Sequence, residues 1–338
     1  MIISTTAYPR AGLIGNPSDG YFGKTIAFAF TNYSATIELW ESPDLELLPS
    51  RRDHSVFSSI ADLHDDVRKH GYYGGFRLLK ACVKVFYDYC QTRGIKFDNR
   101  NFTMRYRSDI PNRVGLAGSS ALITACLRAL MGFYNVTIPR HVLASVVLSV
   151  ENSELNIPAG LQDRVAQAYQ GATFMDFARD LLDTRGYGEY EALDPDTLPP
   201  IYIAFREDLS EGTEVFHNNL RARWLAGDSE VIDAMTAWAD LTQQFRDTLP
   251  TGNTTELHRL INANFDLRAS LYDVGEGNRE MIATARRTGA SAKFAGSGGA
   301  IVGTYENDEM FTSLETAFAP TNIRVIRPDI APPIPEKI

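Results

Sequence analysis

Pro111-Asn-Arg-Val-Gly115-Leu116-Ala117-Gly118-Ser119-Ser120-Ala121 is a glycine-bearing loop that ends in two hydroxyl residues and opens directly into a helical pattern. Before it, Phe102 to Tyr106 alternates apolar and polar side chains, the period of a half-buried strand. After it, Leu122, Cys126, Ala129, Met131 and Phe133 recur at helical spacing. The order is therefore strand, glycine turn, helix start. The first N–H groups of a helix have no partner inside it, and the macrodipole adds partial positive charge there. Glycines let an anion come close to the backbone, so the stretch suits a phosphate. It reads equally well as a turn with a serine cap, and alone it does not choose.

Composition narrows the function classes. A chain of 338 residues, 44% hydrophobic and 22% charged, has ample length for a core in one large domain or two. A net charge of −9 argues against non-specific binding of nucleic acid, though not against a nucleotide in one local site. No apolar run reaches membrane-spanning length, and Met1-Ile-Ile-Ser-Thr-Thr lacks the order of a signal peptide. Cys82, Cys90 and Cys126 sit in helical patterns without ligand spacing, so reduced core thiols in a cytoplasm are expected. The six histidines are scattered, so a working metal should be a hard cation held by oxygens.

Strands are expected at Ile2–Ala7, Thr25–Phe30, Tyr33–Trp40, Thr173–Asp176, Ile201–Phe205 and 322–326, with a hairpin-like pair at 292–305. Helices are expected at Ser58–His70, Phe76–Arg93, 120–134, 139–154, Leu161–Tyr169, through much of 213–288, and near 308–318. Residues 41–55 read as polar loop. The Gly-, Asp- and Pro-rich stretch 183–200 is the best domain boundary, giving units of 1–188 and 189–330 and a loose tail over 331–338. Strands and helices mix without regular alternation, which indicates α+β.

Three glycine-rich segments, 10–23, 111–121 and 295–300, fit neither the dinucleotide fingerprint nor the common P-loop. A second informative stretch runs from Ser149 to Arg164, where Glu151 and Glu154 end one helix and Asp163 begins the next. It reads either as a solvated helix end with a carboxylate at a favourable N-terminus, or as a metal-binding Glu followed by an Asp facing a substrate hydroxyl.

These segments resemble the three motifs of the GHMP kinases, small-molecule kinases named for galactose, homoserine, mevalonate and phosphomevalonate. The family's central Pro-x-x-x-Gly-Leu-Gly-Ser-Ser-Ala is similar to Pro111–Ala121, with one extra residue here. Arg10 through Tyr21 resembles the first motif and Lys293 through Ala300 the third. The likeness extends over nearly the whole chain. Within the family it is greatest to the glucuronokinases, carried by Gly15–Gly23, Gly71-Tyr-Tyr-Gly-Gly75, Gly115–Ser120, Ala159–Gln167 and Ala292–Gly299. The extra residue in the central motif is shared by that subfamily.

The resemblance implies a two-domain α+β fold, ribosomal-protein-S5-like at its N-terminal side and ferredoxin-like at its C-terminal side. It implies a sugar kinase using ATP and Mg²⁺. Pro111 and Gly115 to Ala121 would wrap the triphosphate, and Ser120, with Ser119 as the alternative, would meet Mg²⁺ beside Glu151 or its competitor Glu154. Asp163 matches the family's base, and Arg10 stands where many relatives carry Lys, able to hold Asp163 ionised and reach the γ-phosphate. Asp19 would bind sugar hydroxyls, and Gly296, Ser297 and Gly298 would close the far side. A uronic acid substrate also needs a cation, for which Arg113, Arg164, Lys24, Arg77 and Arg268 all qualify. Heptose-phosphate or neutral-sugar kinases are the rival substrate class, and a sugar sensor without turnover the rival of another kind.

Overall fold

In the computed structural model, which describes residues 2–50, 53, 58–60, 74–206 and 220–335, the chain begins with β1 (Ile2–Ala7) and β2 (Arg10–Ile14). Strands β3 (Lys24–Ala29), β4 (Ala35–Ser42) and β5 (Glu46–Leu48) follow. Helix α1 (Gly75–Thr92), strand β6 (Asn101–Ser108) and helix α2 (Gly118–Tyr134) come next. Helix α3 (Arg140–Ser149) passes into a π-helical turn at Val150–Glu154, and then come α4 (Gln162–Tyr169) and β7 (Ala172–Asp176). Most of the helix expected at Ser58–His70, and residues 71–73 of the Gly71-Tyr-Tyr-Gly-Gly75 stretch, lie outside the described residues.

Strands β1, β4, β6 and β5 form one sheet in the order β1-β4-β6-β5. Its alternation is visible in β4, where Ala35, Ile37 and Leu39 are buried and Thr36, Glu38 and Trp40 face outward. Strand β5 pairs in parallel with β6, so the polar stretch read as loop contributes a strand. Helix α2 is buried along most of its length because it packs against β1 and β4 on one side and α1 on the other.

The second sheet runs β2-β3-β7-β8, closed by β8 (Glu189–Leu193) beyond helix α5 (Arg179–Arg185). Strand β8 pairs antiparallel with β7, so the change from one sheet to the next falls within the Asp- and Pro-rich residues after Leu193.

The third sheet is built from β9 (Ile201–Arg206), β10 (Lys293–Phe294), β11 (Ala300–Thr304) and β12 (Ile323–Ile326). Helices α6 (Ser229–Thr248), α7 (Thr254–Leu271) and α8 (Glu276–Arg287) lie between β9 and β10, and α9 (Asp308–Phe318) lies between β11 and β12. The strand order β10-β11-β9-β12, all antiparallel, is the expected ferredoxin-like arrangement.

The end of the chain is not a loose tail through residue 335. The Ala331 N–H donates to the Ala29 carbonyl at 2.8 Å, that of Ile334 donates to Tyr169 at 2.8 Å, and Arg140 donates to the Ile334 carbonyl at 2.6 Å. Proline enrichment signals a lack of regular structure, and here the segment is irregular yet anchored. Among the described residues no helix is long and apolar enough to cross a membrane.

Candidate active site

The three glycine segments converge backbone to backbone. The Arg10 N–H, at the start of β2, donates to the Leu116 carbonyl at 3.2 Å, and that of Gly12 donates to Ala295 at 2.7 Å. Gly115 has φ +73°, and a Cβ there would lie 2.7 Å from the Gly298 carbonyl oxygen. A Cβ on Gly296 would strike the Gly115 carbonyl. Only glycine permits this left-handed backbone and this approach together.

Beneath the junction lies Lys293, 1% exposed. Its ammonium donates to the carbonyls of Gly12 and Phe294, each at 2.6 Å, and to Asn16 Oδ1. Three donors thus meet three acceptors. Burial, with Arg268 and Arg10 nearby, holds its pKa well below that of a free lysine. Arg268 and Asn16 both donate to the Gly296 carbonyl, at 3.0 and 3.2 Å.

Arg10 joins these segments to the acidic residues. Its Nη1 donates to the carbonyls of Gly115 at 2.7 Å and Ala295 at 3.2 Å, while its Nε pairs with Asp163 Oδ1. Arg164 Nη1 lies 3.3 Å from the other Asp163 oxygen. Burial pushes the Asp163 carboxyl up, but the Arg10 and Arg164 guanidiniums outweigh it and hold the pKa below the ordinary carboxylate value. Asp163 is therefore ionised at neutral pH.

Asp19 sits on the 3₁₀ turn Ser18–Tyr21 against Gly160, and its carboxylate accepts from the Gln162 N–H at 3.2 Å, capping α4. Its environment is the reverse of that of Asp163. Burial, reinforced by the charge on Asp163, raises its pKa from 3.8 to about 6.

The start of α2 is open. Helices α6, α7 and α9 are capped by the side chains of Asp228, Asn253 and Asn307, whereas α2 has Ala117 at its cap, with φ 60° and ψ 42° and no side-chain cap bond. The Gln167 amide donates to the carbonyls of Ala117 at 2.9 Å and Tyr8 at 3.2 Å, fixing the loop from behind. The first N–H groups of α2 therefore have no side-chain cap, and a helix start of that kind can take an anion.

Among the two serines and two glutamates considered, Ser119 and Glu151 meet. The Ser119 hydroxyl donates to Glu151 Oε1 at 2.8 Å, and Arg164 Nε donates to Oε2 at 2.8 Å. Ser120 does not reach Glu151. It lies on the buried side of α2, and its hydroxyl donates back to the Ala117 carbonyl at 3.2 Å. Glu154 faces α1 and pairs with Lys84 at 2.6 Å. The π-helical turn separates the two glutamates, with Glu151 1% exposed and Glu154 half-buried. A buried carboxylate beside a hydroxyl is a hard-oxygen donor set suited to Mg²⁺ when phosphate oxygens and water complete the shell. No cluster of three or more His, Cys, Asp or Glu that could hold a metal occurs among the described residues.

Of the other candidates, Leu116 and Ala121 have buried side chains, and the Ala121 N–H is already bonded to Ala117, so their contribution is backbone shape. Sequence reasoning missed Lys293 as the support of the glycine junction and Arg164 as the link between Glu151 and Asp163. The run Gln162-Asp163-Arg164 held that signal, since a carboxylate pair needs a buried cation.

Residues 77–171 match the family described as GHMP kinases N terminal domain. The chain is 43% identical over 303 residues to probable glucuronokinase 2 of Arabidopsis thaliana, covering 88% of this chain and 82% of that protein. It is 41% identical over 306 residues to glucuronokinase 1 of the same plant, covering 89% and 84%. The crystal structure of Lactococcus lactis galactokinase complexed with galactose superposes with a TM-score of 0.78 at 17% identity, covering 97% of this chain and 93% of that one. The chain belongs to the glucuronokinase family of GHMP kinases.

Proposed function

We propose that the protein transfers the γ-phosphoryl group of ATP to the anomeric hydroxyl of D-glucuronate, giving glucuronate 1-phosphate and ADP. The observation that carries the chemistry is the single Arg10 guanidinium that ties the ionised Asp163 to the Gly115 loop at the open start of α2. The substrate is supported by the two Arabidopsis glucuronokinases, each matched over more than four-fifths of its length.

In this reading the free N–H groups at the start of α2 face the triphosphate. The sugar hydroxyl oxygen attacks the γ-phosphorus while the bond to the β-phosphate oxygen breaks, and the hydroxyl proton passes to Asp163. Ser119 and Glu151 would hold Mg²⁺, which when bound neutralises charge on the phosphate oxygens. Asp19 accepts hydrogen bonds from other sugar hydroxyls, and Gly296 to Gly298 wall the far side. Arg10 keeps Asp163 a carboxylate and aims it. The transition state is loose in most phosphoryl transfers, so holding the acceptor in line is as much a part of Asp163's role as taking the proton. Buried free thiols at Cys82, Cys90 and Cys126 accord with a reducing, cytoplasmic setting.

The test is a panel of acceptors with ATP and Mg²⁺, with the product read by phosphorus NMR. Glucuronate should give the highest kcat/KM and an anomeric phosphate. Faster turnover of galactose, fucose or a heptose phosphate would overturn the assignment.

A further inference from the structure

A uronic acid brings a carboxylate on C5, across the ring oxygen from the reacting C1, and a charge moved out of water needs a cation to receive it. The cations that the sequence offered are engaged elsewhere. Arg164 is paired with Glu151 and Asp163, and Lys24 with Gln243 and Asp176. Arg268 is buried on the Gly296 carbonyl and the Tyr272 hydroxyl. Arg77 donates to the Leu155 carbonyl beside α1, and Arg113 also has a partner already.

The sugar side of the site has another wall. Tyr21 follows Asp19 by two residues on the same 3₁₀ turn, and its ring packs edge-on against Trp224 with centroids 5.6 Å apart. Tyr21, Trp224 and Tyr272 all pack on one apolar cluster that includes Leu220 and the buried Trp238. Arg221 lies one helical turn before Trp224, so the two share a face. It is exposed, and among the described residues no carboxylate or carbonyl pairs with it. Asp19 and Arg221 both act on the Tyr21 hydroxyl. Burial is the largest influence pushing that group to about 12, Asp19 adds to it and Arg221 opposes it. Nearby, Arg179 already has its guanidinium over the Phe22 ring at 4.0 Å, and Arg223 is paired with Asp228 and Glu230.

We infer that Arg221 receives the carboxylate of the uronic acid substrate, while Asp19, on the near side of Tyr21, takes hydroxyls. This rests on the reading that glucuronate is the acceptor. It makes Arg221 a specificity-determining residue, set on the Trp224 face and remote in sequence from all three glycine motifs.

The experiment compares D-glucuronate with D-glucuronamide, whose amide replaces the carboxylate, in wild type, Arg221→Gln, Arg221→Lys and Arg179→Gln. Arg221→Gln should raise KM for glucuronate by ~10- to 100-fold, the loss of one charge-assisted contact, with kcat and KM for ATP nearly unchanged. Arg221→Lys should restore part of the loss, and on glucuronamide the Gln variant should match wild type. Four results would overturn the inference. They are an unchanged KM for glucuronate in Arg221→Gln, an equal loss on the amide, the loss appearing in Arg179→Gln instead, and no rescue by Lys. If wild type does not phosphorylate glucuronate at all, the substrate reading falls and this inference with it.

Discussion

The Ser119 hydroxyl lies 2.8 Å from Glu151 Oε1, while the neighbouring Ser120 hydroxyl turns back to the Ala117 carbonyl at 3.2 Å. Adjacent serines at a helix start point about 100° apart, so one can face a bound anion while the other caps the helix from within. Their substitutions should therefore separate. Ser119→Ala should raise the Mg²⁺ concentration for half-maximal rate about tenfold, equal to ~1.4 kcal/mol. Ser120→Ala should leave that concentration unchanged and lose about 1 kcal/mol of stability, the value of one hydrogen bond. Magnesium titrations and urea unfolding of both variants check this, and a reversed pattern would return the metal role to Ser120.

Asp163 is held ionised by Arg10 and Arg164, so it is ready to accept a proton at neutral pH. Asp163→Asn retains the shape and loses the basicity. The expected result is a fall in kcat of ~10²–10⁴, the usual range for a positioned proton acceptor. KM for sugar and ATP should change little, because the contribution is made in the transition state. Steady-state kinetics decides, and a kcat close to wild type would remove Asp163 from the chemistry.

How legible all this was depended on how each residue is buried. Helix α2 and strand β4 were readable because one face is apolar and the period shows. Strand β2 was hidden because it is buried throughout, so Arg10–Ile14 shows no alternation and its glycine reads as a turn. Strand β5 has only Glu46, Leu47 and Leu48, too short for a pattern. The choice between Glu151 and Glu154 needed the π-helical turn, since an uninterrupted helix from 139 to 154 gives no reason for one to face Ser119 and the other Lys84. Lys293 illustrates the same limit. A lysine beside a glycine run reads as a surface charge until three oxygens are seen around its ammonium.

Asp19 should give the enzyme an acid limb. Its pKa, raised to about 6 chiefly by burial, means that the carboxylate is protonated as the pH falls through 6. A protonated Asp19 accepts fewer hydrogen bonds, so KM for the sugar should rise below that pH with KM for ATP unaffected. The stability effect runs in a stated direction too. A group whose folded pKa lies above its unfolded value of 3.8 favours the fold most below pH 3.8, and that contribution is lost as pH rises through 6. Asp19→Asn should therefore abolish the acid limb and raise the melting temperature at pH 7 to 8 while weakening the sugar. A pH–KM series that is flat through 6 in wild type would refute the assignment.

Ala117, within the central motif that carries one extra residue, has φ 60° in the left-handed region, where a Cβ crowds the carbonyl oxygen. Its carbonyl is held by Gln167, Ser120 and the Ala121 N–H, which together impose the conformation. Replacing the residue by glycine relieves ~1–2 kcal/mol of left-handed strain and costs ~0.5–1 kcal/mol of chain entropy. Ala117→Gly should thus be stabilised by roughly 0.5 kcal/mol and keep its KM for ATP. Ala117→Val places a β-branched side chain where such residues are outliers, so it should lose on the order of 1–3 kcal/mol and bind ATP more weakly as the loop shifts. Urea denaturation and ATP titration of the two variants read both effects. Equal behaviour of Gly and Val would mean that the left-handed turn does not set the phosphate loop.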